Sequence, residues 1–148
     1  MKKVLVPCDG SESALRAVRH AVIEAESAVK PPEVELVHVL EPQAGAKLAD
    51  ERSLSTVFGR GPVASPLPPA AKQALQPAID MLDRAGIRYG LHCPYGDPAP
   101  EIVAHARHAG CDAVIMGTRG RGQLANLVLG SVASRVVHLA DIPVTLVK

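Results

Sequence analysis

Aromatic side chains are scarce in this chain, which has one Phe, two Tyr and no Trp among 148 residues. A core must therefore be aliphatic, since 47% of the residues are hydrophobic. Scarce aromatics also argue against a platform on which single-stranded nucleic acid bases stack. The length fits one domain able to bury its own core. We expect a single domain over residues 1–148.

Charge of one sign and long apolar runs are also missing. The formal net charge is +1, so no general basic field recruits nucleic acid or an acidic membrane surface. No stretch approaches the length of a membrane span. The first apolar run is broken at Pro7, far too early for a signal sequence. We expect a cytoplasmic protein with neither nucleic acid nor membrane as partner.

Cysteines are few and odd in number. Cys8, Cys93 and Cys111 lack CxxC spacing and lie beside apolar runs. Buried, reduced thiols are therefore predicted rather than disulfides or zinc ligands, in agreement with a cytoplasmic location. The six histidines show no metal-ligand spacing, and we predict no protein metal site.

Apolar patterning predicts five strands that alternate with four helices. The strands are expected at 2–8, 34–40, 87–96, 112–117 and 142–148, and the helices at 11–29, 70–86, 97–110 and from 129 onward. Such alternation indicates a parallel sheet with helices on both faces, because parallel neighbours need crossover connections. The predicted fold class is a three-layer α/β/α sandwich with a five-stranded parallel sheet.

Local signals refine this pattern. Asp97 is a candidate N-cap, and Gly110 is expected to end the helix that Asp97 begins. Pro77 should kink its helix or mark the first turn. The proline-rich segment 43–69 has no sustained periodicity, and we expect an insertion, a mobile flap or disorder there. It is either a surface loop without function or a lid over a ligand.

The stretch MGTRGRGQLANLVLGS, residues 116–131, follows the fourth predicted strand and opens a helix. Unsatisfied amides and the helix dipole favour an anion at such a place. Gly117 and Gly120 would allow close main-chain approach and left-handed conformations, while Gly130 clears space at the helix start. Arg119 and Arg121 add positive charge suited to phosphate, and Ser131 offers a hydroxyl. The alternative is a flexible turn whose glycines only reverse the chain.

The first strand-to-helix turn reads PCDGSES, residues 7–13, and lacks GxGxxG, so phosphates are not expected there. Asp9 could accept hydrogen bonds from a ribose hydroxyl or an adenine amine. Its other interpretation is helix capping, because Asp9 and Glu12 have capping-box spacing, with Ser11 as a rival cap.

These residues resemble the universal stress protein family, in its ATP-binding branch. The family pattern of Gly, two residues, Gly, nine residues, Gly, then Ser or Thr is matched by Gly117, Gly120, Gly130 and Ser131. The segments VLVPCDGSESALRAV, VHVLEP, GDPAPEIVAHARHAGCDAVIMG and ADIPVTLV are also similar to that family. The resemblance covers the chain apart from 43–69.

The resemblance implies a sandwich like that of adenine nucleotide hydrolases, holding ATP with or without Mg²⁺. Asp9 and the backbone of Pro7 and Cys8 would lie near the ribose and base, and the backbone of Val39 would contact adenine. Met116 and Gly117 would line the floor. The residues around the phosphates would be Gly120, Gly130, Ser131 and Val132.

No catalytic machinery for phosphoryl transfer is visible. GxxxxGK[ST] is missing, and residues 116–131 contain no carboxylate that could hold magnesium or orient water. We predict a nucleotide-binding regulator of the stress response with slow hydrolysis or none, and no catalytic residues. Two alternatives stay open: an adenylating enzyme or ATP hydrolase, although SGGxDS and HxGH are missing, and an interaction module without nucleotide.

The last predicted strand, IPVTLVK, leaves an apolar edge that proteins normally cover. Pairing with its copy across a two-fold axis would cover it, and the family resemblance also implies a homodimer. The alternative is an edge masked by a loop.

Overall fold

A computed structural model describes residues 1–41, 54–59, 67–119 and 129–148. The strands are β1 (Lys3–Pro7), β2 (Glu33–Val37), β3 (Leu54–Gly59), β4 (Tyr89–Cys93), β5 (Ala113–Gly117) and β6 (Val144–Val147). The helices are α1 (Glu12–Ser27), α2 (Pro69–Ala85), α3 (Pro98–His108) and α4 (Ser131–Leu139).

The strands form one sheet in the order β3-β4-β2-β1-β5-β6. All neighbours from β4 to β6 pair in parallel, which confirms the five-stranded parallel sheet. β3 is added at the edge, antiparallel to β4. This strand contradicts the alternative of disorder at 54–59, while an insertion or a mobile flap at 43–69 stays a prediction. The run LSTVFG is rich in strand formers, but the prolines that surround it hid this signal, and its partner strand is distant in sequence.

Two helical layers cover the sheet, which confirms the three-layer sandwich. α1 and α2 pack on one face against Val4, Val6 and Leu36. α3 and α4 pack on the other against Leu5 and Val37. Alternate residues of one strand thus enter opposite cores, which explains why the central strands are almost continuously apolar.

Ser11, not Asp9, caps α1. The Ser11 hydroxyl accepts a hydrogen bond from the N–H of Ala14 at 3.1 Å. Asp9 Oδ1 instead accepts from the N–H of Ser11 at 2.9 Å. The capping box between Asp9 and Glu12 was wrong because Ser11 occupies the N-cap position, and Asp9 orders the turn one step earlier.

Prolines and glycines lie at the ends of α2 and α3, and one proline lies inside α2. α2 continues through Pro77, so the interpretation of Pro77 as a first turn is wrong; the helix begins eight residues earlier, at Pro69. The buried face of α2 compensates for the hydrogen bond that Pro77 cannot donate. Gly86 directly follows α2 and Gly110 lies two residues after α3, and both have φ of 67°; glycine was predicted to close each of these helices.

The three cysteines are buried and carry free thiols, as predicted. In the parts of the chain with described structure, the helices are too short or too polar to cross a membrane.

Candidate functional site

A cavity of about 420 Å³ opens at the carboxyl ends of β1, β2 and β5. β2 lies on one side of β1 and β5 on the other, so the strand order reverses at β1. In parallel sheets such a reversal leaves a crevice at the carboxyl ends of the strands. The cavity brings together ten of the predicted site residues: Pro7, Cys8, Asp9, Val39, Met116, Gly117, Arg119, Gly130, Ser131 and Val132. Gly120, the eleventh, lies outside the described residues.

One end of the cavity is the N-terminus of α4. Gly130 is the N-cap residue, and its N–H donates to the Thr118 carbonyl at 2.6 Å. Glycine offers no side-chain acceptor, and no side-chain cap is found there. The first-turn amides at 131–133 therefore have no partner within the helix. These donors and the helix dipole make this end suitable for an anion.

Gly117 has a packing role that differs from the predicted one. Its φ is not positive, so the expected left-handed conformation is wrong at this position. A Cβ on Gly117 would lie 2.7 Å from the backbone carbonyl of Ser13 on α1. The glycine is thus required by the close approach of α1 to β5. The N–H of Arg119 also donates to the Ser13 hydroxyl at 3.3 Å.

The opposite end of the cavity follows β2. The N–H groups of His38 and Leu40 both donate toward the β4 side, to the carbonyls of His92 at 3.0 Å and Pro94 at 2.8 Å. The backbone alternates, so the polar groups of Val39 point the other way. Among the described residues no main-chain hydrogen bond is found for Val39. Val39 also lines the cavity, so its main-chain groups are candidates for hydrogen bonds to a ligand.

Cys8 lies between these two ends. Its N–H donates to the Val37 carbonyl at 2.8 Å, and the His38 ring contacts the Cys8 carbonyl at 2.8 Å. Burial raises the pKa of the Cys8 thiol well above its usual range, and the charge of Asp9 adds to the shift. The thiol thus stays protonated and is a poor nucleophile.

Sequence reasoning missed several lining residues: Ala14, Val37, His38, Glu41, Pro98, Ile102 and Ala133. Those from α3 follow no ligand motif and reach the cavity only because α3 packs beside α4. His38 had one signal, since it is a polar residue within the apolar run 34–40. Glu41 places a second carboxylate at the cavity, besides Asp9.

An ion pair joins the two helix starts that flank the cavity. Asp97 is the N-cap of α3, as predicted, but its side chain forms no cap hydrogen bond. Its carboxylate accepts from Arg135 of α4 at 2.8 and 2.6 Å. These hydrogen bonds hold the pKa of Asp97 below its usual range.

A cluster of ionisable side chains lies between the sheet and α3. Glu35 accepts from His105 at 3.3 Å and from Lys3 at 3.4 Å. The rings of His105 and His92 are stacked, with centroids 3.9 Å apart. Gly90 makes room, because a Cβ there would lie 2.7 Å from the Glu35 carboxylate. One helical turn separates His105 from Ile102, which lines the cavity.

Two pKa values in this cluster move in the same direction. Burial opposes ionisation of Glu35, but the hydrogen bond from His105 and the charge of Lys3 outweigh it, and the Glu35 pKa is lowered. Burial and the charge of His105 lower the pKa of His92 to about 4. Glu35 is therefore ionised and His92 neutral near pH 7.

Comparison with known proteins agrees with this architecture. The model described as "Usp: Universal stress protein family" matches residues 1–148. Universal stress protein MJ0531 of Methanocaldococcus jannaschii is 32% identical over 147 residues, which cover 99% of this chain and 82% of the relative. The solved structure of MJ0577 from the same organism has a TM-score of 0.73 at 29% identity and covers 99% of this chain and 95% of its own. A universal stress protein of Archaeoglobus fulgidus, solved in complex with dAMP, has a TM-score of 0.66 at 26% identity and covers 100% and 98%.

Proposed function

Since this chain belongs to the universal stress protein family, we propose that it binds ATP, with or without Mg²⁺, in the cavity beside β1. We propose that it acts as a nucleotide-dependent regulator of the stress response. One observation carries the proposal: one cavity is lined both by the start of α4, which lacks a side-chain cap, and by Val39, whose backbone has no main-chain hydrogen bond to the described part of the chain. The dAMP complex of the Archaeoglobus fulgidus relative supports an adenine nucleotide as ligand.

The strand order supports one orientation of the nucleotide. Val39 follows β2, Asp9 follows β1 and Gly117 ends β5, and these strands are neighbours in that order. Neighbouring strands are about 4.8 Å apart, so the two outer ones are separated by about 10 Å. The base would lie on Val39, the ribose near Asp9, and the phosphates on Ser131 and Arg119.

We propose slow hydrolysis or none. The thiol of Cys8 stays protonated. The carboxylates that line the cavity among the described residues, Asp9 and Glu41, follow β1 and β2 and not β5 or the start of α4. A turnover number of about 1 per second or more, the ordinary range of enzymes, would contradict this part of the proposal.

We also propose a homodimer through β6. This strand is at the end of the sheet and pairs with β5. Leu146 on β6 is 38% exposed, and pairing with a second copy would cover it. Light scattering coupled to size exclusion tests this, and a monomer at all concentrations would contradict it. The free thiols fit the cytoplasmic location that we propose.

Ser131→Asp is the sharpest test of nucleotide binding. A carboxylate in the first turn of α4 suits the helix dipole, so the variant should unfold at the same temperature as the wild type or higher. It should repel phosphates and weaken ATP binding at least about tenfold, or 1.4 kcal/mol, by calorimetry. Ser131→Asn, matched in size but uncharged, should lose much less.

Two results would overturn the proposal. One is wild-type protein that releases no nucleotide on heating and shows no heat of ATP binding. The other is equal ATP affinity of Ser131→Asp and the wild type, which would move the phosphates away from α4.

A further inference from the structure

The tautomer of His38 is fixed by its contact with Cys8. His38 Nδ1 lies 2.8 Å from the Cys8 carbonyl oxygen. A carbonyl oxygen only accepts hydrogen bonds, so Nδ1 carries the proton. In the neutral ring the other nitrogen, Nε2, then presents a lone pair and acts as an acceptor.

Nε2 of His38 is available as a hydrogen-bond acceptor. No hydrogen bond to this atom is found among the described residues, and it is not one of the buried polar atoms that lack a partner. It is thus reached by solvent. His38 is half-buried and lines the cavity, so the cavity is where a ligand can meet this acceptor.

His38 belongs to the end of the cavity that we assign to the base. It follows β2, next to Val39, and β1 separates it from β5 and the phosphate end. The hydrogen bond to Cys8 holds the ring in place, which makes it a rigid acceptor. Its backbone N–H is also fixed, by the carbonyl of His92 at 3.0 Å.

We propose that His38 determines nucleobase specificity, with Nε2 accepting a hydrogen bond from the exocyclic amino group at C6 of adenine. The proposal rests on the proposed function, since it concerns the same cavity. Adenine carries two N–H donors on this group, so the Val39 carbonyl and His38 can each accept one. Purines with a carbonyl at C6 would instead place an acceptor against the lone pair. A site built to pair with a donor discriminates strongly against such analogues.

The test compares ATP with ITP and with purine riboside 5′-triphosphate by calorimetry. ITP has a carbonyl at C6, and the purine riboside has only hydrogen. Wild-type protein should bind ATP at least about tenfold more tightly than either, which corresponds to about 1.4 kcal/mol. In His38→Phe the ratio of ATP to ITP affinity should fall but stay above one, because the Val39 carbonyl still accepts a hydrogen bond from the amino group of adenine. In Ser131→Asp all affinities should fall while the ratio is kept.

Each outcome separates the two proposals. Wild-type protein that binds none of the three nucleotides would refute the proposed function itself. Equal binding of ATP and the purine riboside would overturn the role of His38 and leave nucleotide binding intact, and it needs no variant. A His38→Phe protein that folds and keeps the wild-type ratio would overturn it as well.

Discussion

The carboxylate of Glu35 and the imidazole of His105 meet at 3.3 Å in the protein interior, although 70 residues separate them in sequence. Glu35 comes from β2 and His105 from α3, so this contact fixes a helix on the sheet. Both side chains are almost fully buried. A buried charge that loses its partner keeps its desolvation cost, which makes each partner dependent on the other.

Glu35→Gln should therefore destabilise the protein. The amide keeps the shape but removes the charge that faces His105 and Lys3. We expect a loss of about 1–3 kcal/mol in the free energy of unfolding, measured with urea. Glu33→Gln is the matched control, because Glu33 also pairs with Lys3 but is partly exposed, and should cost at most about 1 kcal/mol. Equal losses in the two variants would show that the buried pair adds nothing.

Stability should decrease as the pH falls from about 6.5 to about 4. The pKa of His92 is lowered to about 4 by burial and by the charge of His105, with Glu35 acting in the opposite direction and His108 adding to the decrease. The unfolded chain, with an ordinary His pKa of about 6.5, then binds more protons over this range, so acid favours unfolding.

His92 is partly exposed, which reduces its contribution to on the order of 1–2 kcal/mol. Urea unfolding at pH 7, 6, 5 and 4.5 measures it. His92→Phe keeps an aromatic ring against His105 without a titrating group, and its stability should vary less over this range. An unchanged pH profile in His92→Phe would contradict the assignment.

Gly90→Ala should destabilise the protein through Glu35. The added Cβ would lie 2.7 Å from the Glu35 carboxylate, which must then leave its partners. We expect a cost of about 1–3 kcal/mol by urea unfolding. In the Glu35→Ala background, where the carboxylate is missing, Gly90→Ala should cost much less. An additive double-mutant cycle would show that the two positions are independent.

Gly117→Ala should also be destabilising, for a reason unrelated to ligand binding. The Cβ would meet the Ser13 backbone at 2.7 Å, so α1 must shift away from β5. We expect a loss of about 1–3 kcal/mol in the free energy of unfolding. Ser13→Ala should not rescue it, because the clash includes main-chain atoms. Rescue by Ser13→Ala would show that only the hydroxyl restricts position 117.

The parallel strands and their helices could be predicted because their signals are local. β1, β2 and β5 are buried on both faces, so their apolar runs are unambiguous. β3 was missed because its pairing with β4 is decided by tertiary contact. The left-handed turn at Gly110, just beyond α3, was predicted because left-handed backbone after a helix favours glycine.

The site could be predicted in part. The cluster of Gly130 and Ser131 is recognisable from spacing alone, and the structure places it at the cavity. The role of Gly117 depends on how α1 approaches β5, and the acceptor on His38 depends on a contact with Cys8 30 residues away. Neither can be read from local pattern. Nothing in the sequence distinguishes Glu35 from other polar residues in strands, because its partner His105 is 70 residues away.

Gly130, the N-cap of α4, has no side chain that could accept a hydrogen bond from the amides of the first helical turn. In our proposal a phosphate oxygen accepts those hydrogen bonds, so the bound nucleotide also caps the helix and stabilises the domain. Nucleotide binding would then order the backbone of the first turn of α4. A partner protein that binds this turn would distinguish the nucleotide-bound form from the free form without any hinge or domain movement.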